Sequence, residues 1–265
     1  MYPISEIVGE LVAQRWQITN YLGEGNMSYV YKAQNCETGK VVTLKLIKNL
    51  NNVEDLESLA RQDKNFIALN HENIASYYDI HSDGKKLFLF CDYLSGENLA
   101  SALQKNGKLP LERCIKLFKQ IVAAISYAHQ NNIVHGDLRP SNIFIVNDQF
   151  NTDEPKVVDF GLMYLMEQLR QKNKLSVSTT NPLLKDAPYM SPEQRSRRNV
   201  DGRSDLYSLG CLMYEAACGK PPFTSQSAME TTYKQKNLKA TELEQLAAAH
   251  PLLSRYQAIT SKLLK

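Results

Sequence analysis

The sequence predicts an α+β fold of two lobes, a small β-rich N-terminal lobe and a larger helical C-terminal one. Two observations predict it: segments of strand-like alternation fill the chain up to about Leu94, and long apolar helical stripes dominate after Gly96. A third is length, since 265 residues fit one large domain or two tightly joined lobes.

The elements follow in order. Ile4, Ile7, Val8, Leu11 and Val12 recur at helical spacing, so a lead-in helix that packs on the rest is expected within residues 1–13. The small lobe is expected over residues 14–95. Trp16 and Ile18 alternate with polar residues, and Tyr29 to Tyr31 and Val41 to Ile47 are rich in β-branched and aromatic types. Thr38-Gly39-Lys40 is a hairpin signal between the last two. Residues 53–69 read as a helix, and Leu87 to Phe90 as a strand after the turn Asp83-Gly84. The large lobe is expected over residues 96–265. There, Leu111, Cys114, Ile115, Leu117, Phe118, Ile121, Val122, Ile125 and Ala128 trace one apolar stripe, with Pro110 suited to the first turn. Short strands are expected at Ile143 to Val146 and Lys156 to Val158. A second long helix is expected from about Asp205 to Cys218, stopped by Gly219 with Pro221-Pro222 beyond.

Composition narrows the function classes. Apolar residues make up 43% and charged residues 22%, an ordinary globular mixture. A net charge of +3 is too small to argue for nucleic acid or an anionic membrane; Arg195, Arg197 and Arg198 read as a solvated loop. The five cysteines are odd in number and none pairs as C-x-x-C, which speaks against a disulfide framework or zinc site and for a reducing compartment. With no apolar run of membrane-span length and no signal-like segment in Met1 to Gly9, the cytoplasm is expected.

Several segments carry chemistry. Leu22-Gly23-Glu24-Gly25-Asn26-Met27-Ser28-Tyr29-Val30 places two glycines, one residue apart, between two strands, where a hairpin backbone can come close to a ligand; a plain tight turn is the simpler reading. Lys45 is a lone cation in the apolar strand Val41 to Ile47, either an edge-strand guard or a fixed charge for phosphate oxygens. In His135-Gly136-Asp137-Leu138-Arg139-Pro140-Ser141-Asn142, Asp137 can orient a hydroxyl and take its proton, Asn142 can offer oxygen to Mg²⁺, and Arg139 can neutralise a phosphoryl group. The segment could equally be a capped polar turn. Asp159-Phe160-Gly161 places a carboxylate at a strand end before a glycine, a natural metal ligand.

The ordered set Gly23/Gly25/Val30, Lys45, Asp137/Asn142, Asp159-Phe160-Gly161, Ser191-Pro192-Glu193 and Asp205 resembles the signature set of eukaryotic-type protein kinases, and Met27 with Val30-Tyr31 looks most like the bacterial Ser/Thr kinases. The resemblance runs from about Ala13 onward. It implies the bilobal protein-kinase fold and transfer of the γ-phosphate of ATP, with Mg²⁺ or Mn²⁺, to Ser or Thr hydroxyls of protein substrates. It further implies that Leu22 to Val30 roof the nucleotide, that Lys45 binds the α- and β-phosphates, and that Asp92, Tyr93 and Leu94 form the hinge that reads adenine, with Cys91 guarding the pocket behind. Asp137 would be the catalytic base, Asn142 and Asp159 the metal ligands, and Asp205 the brace of the catalytic-loop backbone. Neither nucleic acid nor a membrane is implied as a partner.

Departures from the pattern carry expectations of their own. Gln62 stands where the family has the Glu that pairs with the strand lysine. Glu57 and Asp63 do not share its helical face, and Phe66 supports the register, so weakened catalysis is expected. Ser28 replaces the third glycine, and Arg139 the usual Lys, keeping charge but not geometry. Gly136 replaces the Arg that receives an activation-loop phosphate, so activity is expected to be independent of phosphorylation at Ser176, Ser178, Thr179 or Thr180. Asp186 stands where Ser/Thr kinases usually carry Thr. Leu162, Leu165, Met166 and Leu169 recur at helical spacing, and a short helix there could hold the resting state inactive by displacing the small-lobe helix; a packed loop fits the spacing as well. No segment matches the family's Arg partner of Glu193, so the large lobe is expected to be incomplete at its C-terminus, which leaves room for further domains beyond Lys265. Two rival functions remain at this level: a pseudokinase that serves as a nucleotide-binding scaffold, and a small-molecule phosphotransferase, whose loop also reads His-Gly-Asp.

Overall fold

The structure is a computed structural model that describes residues 7–50, 69–147, 153–171, 188–195, 200–224, 227–238 and 251–264. The helix expected over residues 53–69, with Glu57, Gln62, Asp63 and Phe66, lies outside them apart from Leu69, as do Ser176, Ser178, Thr179, Thr180 and Asp186. The chain divides into two compact units. The first takes in Met1–Asn70, Ala75–Ser95 and Tyr164–Thr180; the second takes in His71–Ile74, Gly96–Met163 and Asn181–Lys265.

The first unit is built on a six-stranded sheet of β1 (Leu11–Val12), β2 (Trp16–Glu24), β3 (Ser28–Asn35), β4 (Val41–Ile47), β5 (Tyr77–Ser82) and β6 (Leu87–Asp92), in the order β1-β2-β3-β4-β6-β5. Its described pairings are antiparallel. Period-two alternation sends Trp16 and Ile18 from β2 and Val42, Leu44 and Leu46 from β4 into one core with Phe88 and Phe90. β6 is buried along nearly its whole length, as an interior strand should be. In the β3–β4 turn, the Asn35 side chain accepts the N–H groups of Glu37 and Thr38, and Gly39 takes φ +70°. Cys36 on this turn is exposed, Cys218 is half-buried, and Cys91, Cys114 and Cys211 are buried; all five are free thiols.

The lead-in departs from expectation. Residues 7–9 form a turn and Leu11–Val12 a short strand, not a helix. Gly9 at φ +95° interrupts any helical run, and the backbone is tied to β2 instead: Gly9 N–H donates to Ile18 O and Ile18 N–H to Glu10 O. Ile7 and Val12 are thereby buried, while Val8 and Leu11 face solvent.

The second unit opens on β7 (Glu97–Asn98), which joins β8 (Ile143–Asn147) and β9 (Asp153–Val157) in a three-stranded antiparallel sheet. Gly96 has to be glycine here, because a Cβ would stand 2.3 Å from the Ile145 carbonyl oxygen. Helices α1 (Leu99–Asn106) and α2 (Leu111–Gln130) follow, the first capped by Asn98, whose side chain accepts Ser101 N–H. Most of the α2 stripe is buried as its spacing predicts, with Leu111 and Ile115 half-buried and Val122 facing solvent. After β9 come α3 (Leu162–Gln171), α4 (Pro192–Arg195), α5 (Gly202–Cys218), α6 (Ala228–Asn237) and α7 (Pro251–Leu263). α5 starts one turn earlier than expected because Asp201 caps it by accepting Arg203 N–H, and it ends at Gly219 in the left-handed region. α5 packs against α2 and α7. Tyr256 of α7 donates its hydroxyl to Met213 O at 2.8 Å and sets its ring edge-on to Phe118.

The helical spacing after Gly161 does become a helix. On α3, Leu162, Leu165 and Leu169 are buried, Met163 and Tyr164 are exposed, and Arg170 pairs with Glu167. From Tyr164 onward this segment is counted with the first unit.

Candidate active site

In the first unit, the glycine-rich segment is the β2–β3 hairpin. Gly23 pairs with Val30 and Glu24 with Tyr29, and Gly25 N–H closes the turn on Ser28 O at 2.9 Å. Leu22 is exposed and Ser28 buried. Lys48, which the sequence does not single out, grips the tip. Its Nζ meets the Glu24 carboxylate and donates to Gly25 O at 2.7 Å, and its ammonium lies over the Tyr29 ring. Its own N–H donates to Met27 O.

Lys45 is no edge guard. β4 runs between β3 and β6, Lys45 pairs with Val30 on one side and Leu89 on the other, and it is only 7% exposed. A buried ammonium in mid-sheet is costly unless it serves a counter-charge.

The segment after β6 has its side chains committed. Asp92 N–H donates to Ser76 O, and its carboxylate accepts from Ser76 N–H at 2.8 Å and from the Tyr78 hydroxyl. Burial, and then the Asp92 carboxylate, push the Tyr78 phenol up. Lys32 lies over the Tyr93 ring, and Cys91 is buried between partners on β4 and β5. Leu94 is half-buried.

In the second unit, Asp137, Arg139, Asn142 and Asp159 are gathered by a dense set of bonds. Asn142 Nδ2 donates to Asp137 O at 2.9 Å and to its Oδ2 at 3.3 Å. Arg139 Nε donates to Ser141 Oγ at 2.8 Å, and Val158 N–H to Asn142 O at 3.0 Å, which sets Asp159 next to the loop. Asp159 takes φ +70°, a conformation uncommon outside glycine, and its carbonyl accepts Leu162 N–H at the start of α3. Phe160 is buried edge-on against His135 at 4.7 Å.

His135 ties the two segments together. Its Nδ1 accepts Asp137 N–H at 3.1 Å, so its proton sits on Nε2, which donates to Val158 O at 2.8 Å. The bond accepted at Nδ1 requires neutral imidazole, and complete burial holds its pKa below the ordinary value despite nearby Asp205. Asp205, itself buried, accepts His135 N–H and Gly136 N–H at 2.8 Å each, and lies 2.8 Å from His129 Nε2. One carboxylate at the start of α5 thus holds the loop backbone.

Helix α4 adds a contact that the sequence reading missed. Ser191 and Gln194 form a reciprocal cap: Ser191 N–H donates to Gln194 Oε1 at 2.9 Å and Gln194 N–H to Ser191 Oγ at 3.4 Å. The same carboxamide donates from Nε2 to Gly136 O at 2.7 Å. The spacing Ser-x-x-Gln was a legible capping signal; the reach to Gly136 was not. Glu193, left without a partner by the resemblance, accepts from Ser204 Oγ at 2.5 Å. Tyr189 just before α4 is anchored to α5, donating to Glu215 Oε2 and accepting Ser208 Oγ–H through its carbonyl.

Known proteins resemble the chain over most of its length. The chain is 31% identical over 230 residues to a probable serine/threonine-protein kinase of Clostridium acetobutylicum, 86% of this chain and 34% of that protein. It is 30% identical over 230 residues to serine/threonine-protein kinase PrkC of Bacillus subtilis, with the same shares. It is 31% identical over 234 residues to serine/threonine-protein kinase PknB of Mycobacterium leprae, 84% of this chain and 35% of that protein. The chain therefore spans about a third of the length of these relatives. No helix among the described residues is long and apolar enough to cross a membrane. His135 and Asp205 brace the Asp137 loop, residues 16–265 match the protein kinase domain family, and the chain belongs to that family.

Proposed function

We propose that this chain transfers the γ-phosphate of ATP to Ser or Thr hydroxyls of proteins. The observation that supports the reading most is the second unit's oxygen-rich cluster: Asp137 and Asn142 bonded to each other, and Asp159 held beside them through Val158. Asp137 accepts the proton of the acceptor hydroxyl, and its backbone, fixed by its N–H bond to His135, aims the carboxylate. Arg139 offsets charge on the phosphoryl group in transit. In the first unit, the Leu22–Val30 hairpin covers the phosphates, and buried Lys45 meets the α- and β-phosphates. Because the Asp92 carboxylate and N–H are already engaged, adenine is read by backbone groups, the Asp92 carbonyl and Leu94.

The donor set suits a hard cation. Asn142 commits its Nδ2 to Asp137, and its amide oxygen, which accepts one long bond of 3.4 Å from Ser141 Oγ and keeps a second lone pair, is with the Asp159 carboxylate the ligand for Mg²⁺ or Mn²⁺. Such an ion would supply charge neutralisation on the phosphate oxygens. The buried free thiols suit a reducing cytoplasm.

The test is transfer of labelled γ-phosphate to casein with magnesium, beside Asp137→Asn. The intact chain should label casein on Ser and Thr, and the variant should lose about 10²-fold or more. Equal labelling by both would overturn the assignment of Asp137. ATP binding by the intact chain with no transfer would instead establish the scaffold reading.

A further inference from the structure

We infer that Gln194 is a positioning residue for Asp137, the clamp on the peptide bond that leads into it; the inference rests on the phosphoryl-transfer reading above. The peptide unit joining Gly136 to Asp137 has two polar ends. Its carbonyl accepts from Gln194 Nε2 at 2.7 Å, and its N–H donates to His135 Nδ1 at 3.1 Å. The peptide before it is held through Gly136 N–H by Asp205 Oδ1. The plane that orients the Asp137 side chain is thereby fixed at both edges, and one of the two fixing groups is a side chain 58 residues away in sequence.

Two features show that the clamp is built rather than incidental. Gly136 adopts φ +74°, which few residues other than glycine hold comfortably and which turns its carbonyl toward α4. The Gln194 carboxamide is itself fixed. Its Oε1 accepts Ser191 N–H while its Nε2 faces a carbonyl, so only one orientation of the amide satisfies both partners. The reciprocal cap of α4 is thus the foundation from which Gln194 reaches the loop. Buried Ser191 anchors it, and Tyr189 and Glu193 tie the same short segment to α5. A displacement of α4 passes through one hydrogen bond to the backbone of the proposed catalytic base, and small misplacements at such a site have large effects on rate.

Substitution at Gln194 separates capping from clamping. Glutamate accepts from Ser191 N–H as glutamine does, so Gln194→Glu keeps the cap. Ionised, it has no proton to donate to the Gly136 carbonyl; protonated, it has one. Steady-state kinetics with casein should show Gln194→Ala lowering kcat about tenfold with KM for ATP within about twofold. Gln194→Glu should be at least as impaired at pH 7.5, where its carboxylate is ionised and offers the Gly136 carbonyl no proton. If Gln194→Glu matches the intact chain at pH 7.5, the side chain acts only as a cap and the inference is overturned. The same follows if Gln194→Ala keeps its kcat. Amide exchange at Asp137 reads the clamp without any activity: Gln194→Ala should exchange faster there, and unchanged protection would refute the clamp. Failure of the intact chain to transfer phosphate would reject the kinase reading alone.

Discussion

Gly210 on α5 meets Leu263 on α7 so closely that a Cβ at position 210 would stand 2.9 Å from the Leu263 Cβ. Glycine inside a helix ordinarily costs about 1 kcal/mol relative to alanine, so removing it should help an isolated helix. Here the neighbour is the root of a side chain, which cannot swing away. Gly210→Val is therefore expected to destabilise the second unit by about 1–3 kcal/mol, read as a lowered Tm. A raised Tm would show that α7 does not dock as described.

Asp205 holds two backbone N–H groups and a histidine with one buried carboxylate. Asp205→Asn keeps one acceptor oxygen and turns an NH₂ toward donors. Bonds to a charged group are worth about 1.5–3 kcal/mol each, so a loss of at least about 2 kcal/mol in unfolding free energy is expected, with a fall in kcat. Denaturant titration would check the first and kinetics the second.

His135 carries a pH dependence with a definite sign. Its folded pKa is depressed by burial, so between that value and the ordinary 6.5 or so the unfolded chain binds a proton that the folded chain refuses. The stability this provides is fully present above about pH 6.5 and is lost as pH falls toward the folded value. Unfolding free energy measured from pH 7.5 to 5 should fall more steeply for the intact chain than for His135→Gln, which retains a donor and an acceptor but does not titrate. Parallel curves would remove His135 from this role.

The α3 helix predicts a gain of activity. If it holds a resting state, as its buried Leu165 and Leu169 allow, then Leu165→Gln or Met166→Gln should raise basal phosphate transfer several-fold. Lower or unchanged transfer would mark the helix as ordinary packing.

Most of the sheet and the long helices were legible because their burial follows one local period: Trp16 and Ile18 at two, Cys114 to Ala128 near 3.6. Where two periods share residues, reading failed. Ile7, Val8, Leu11 and Val12 fit a helix by spacing, and only Gly9 between them carried the contrary signal. β5 was missed because Tyr77 to Ser82 mixes His, Asp and Ser into a strand at the sheet's edge. In the candidate site, the motif residues were legible through their order along the chain. Lys48 and Gln194 were not, since each acts on backbone more than twenty residues away through a generic amine or amide.

The exposure of Cys36, set against the burial of Cys91, Cys114 and Cys211, gives the molecule a natural attachment point. A thiol-reactive dye or spin label, used briefly and sparingly, will report chiefly from the β3–β4 turn, with half-buried Cys218 as the slower second site. Movements of that hairpin could then be followed by spectroscopy in the native sequence, without first engineering cysteines away.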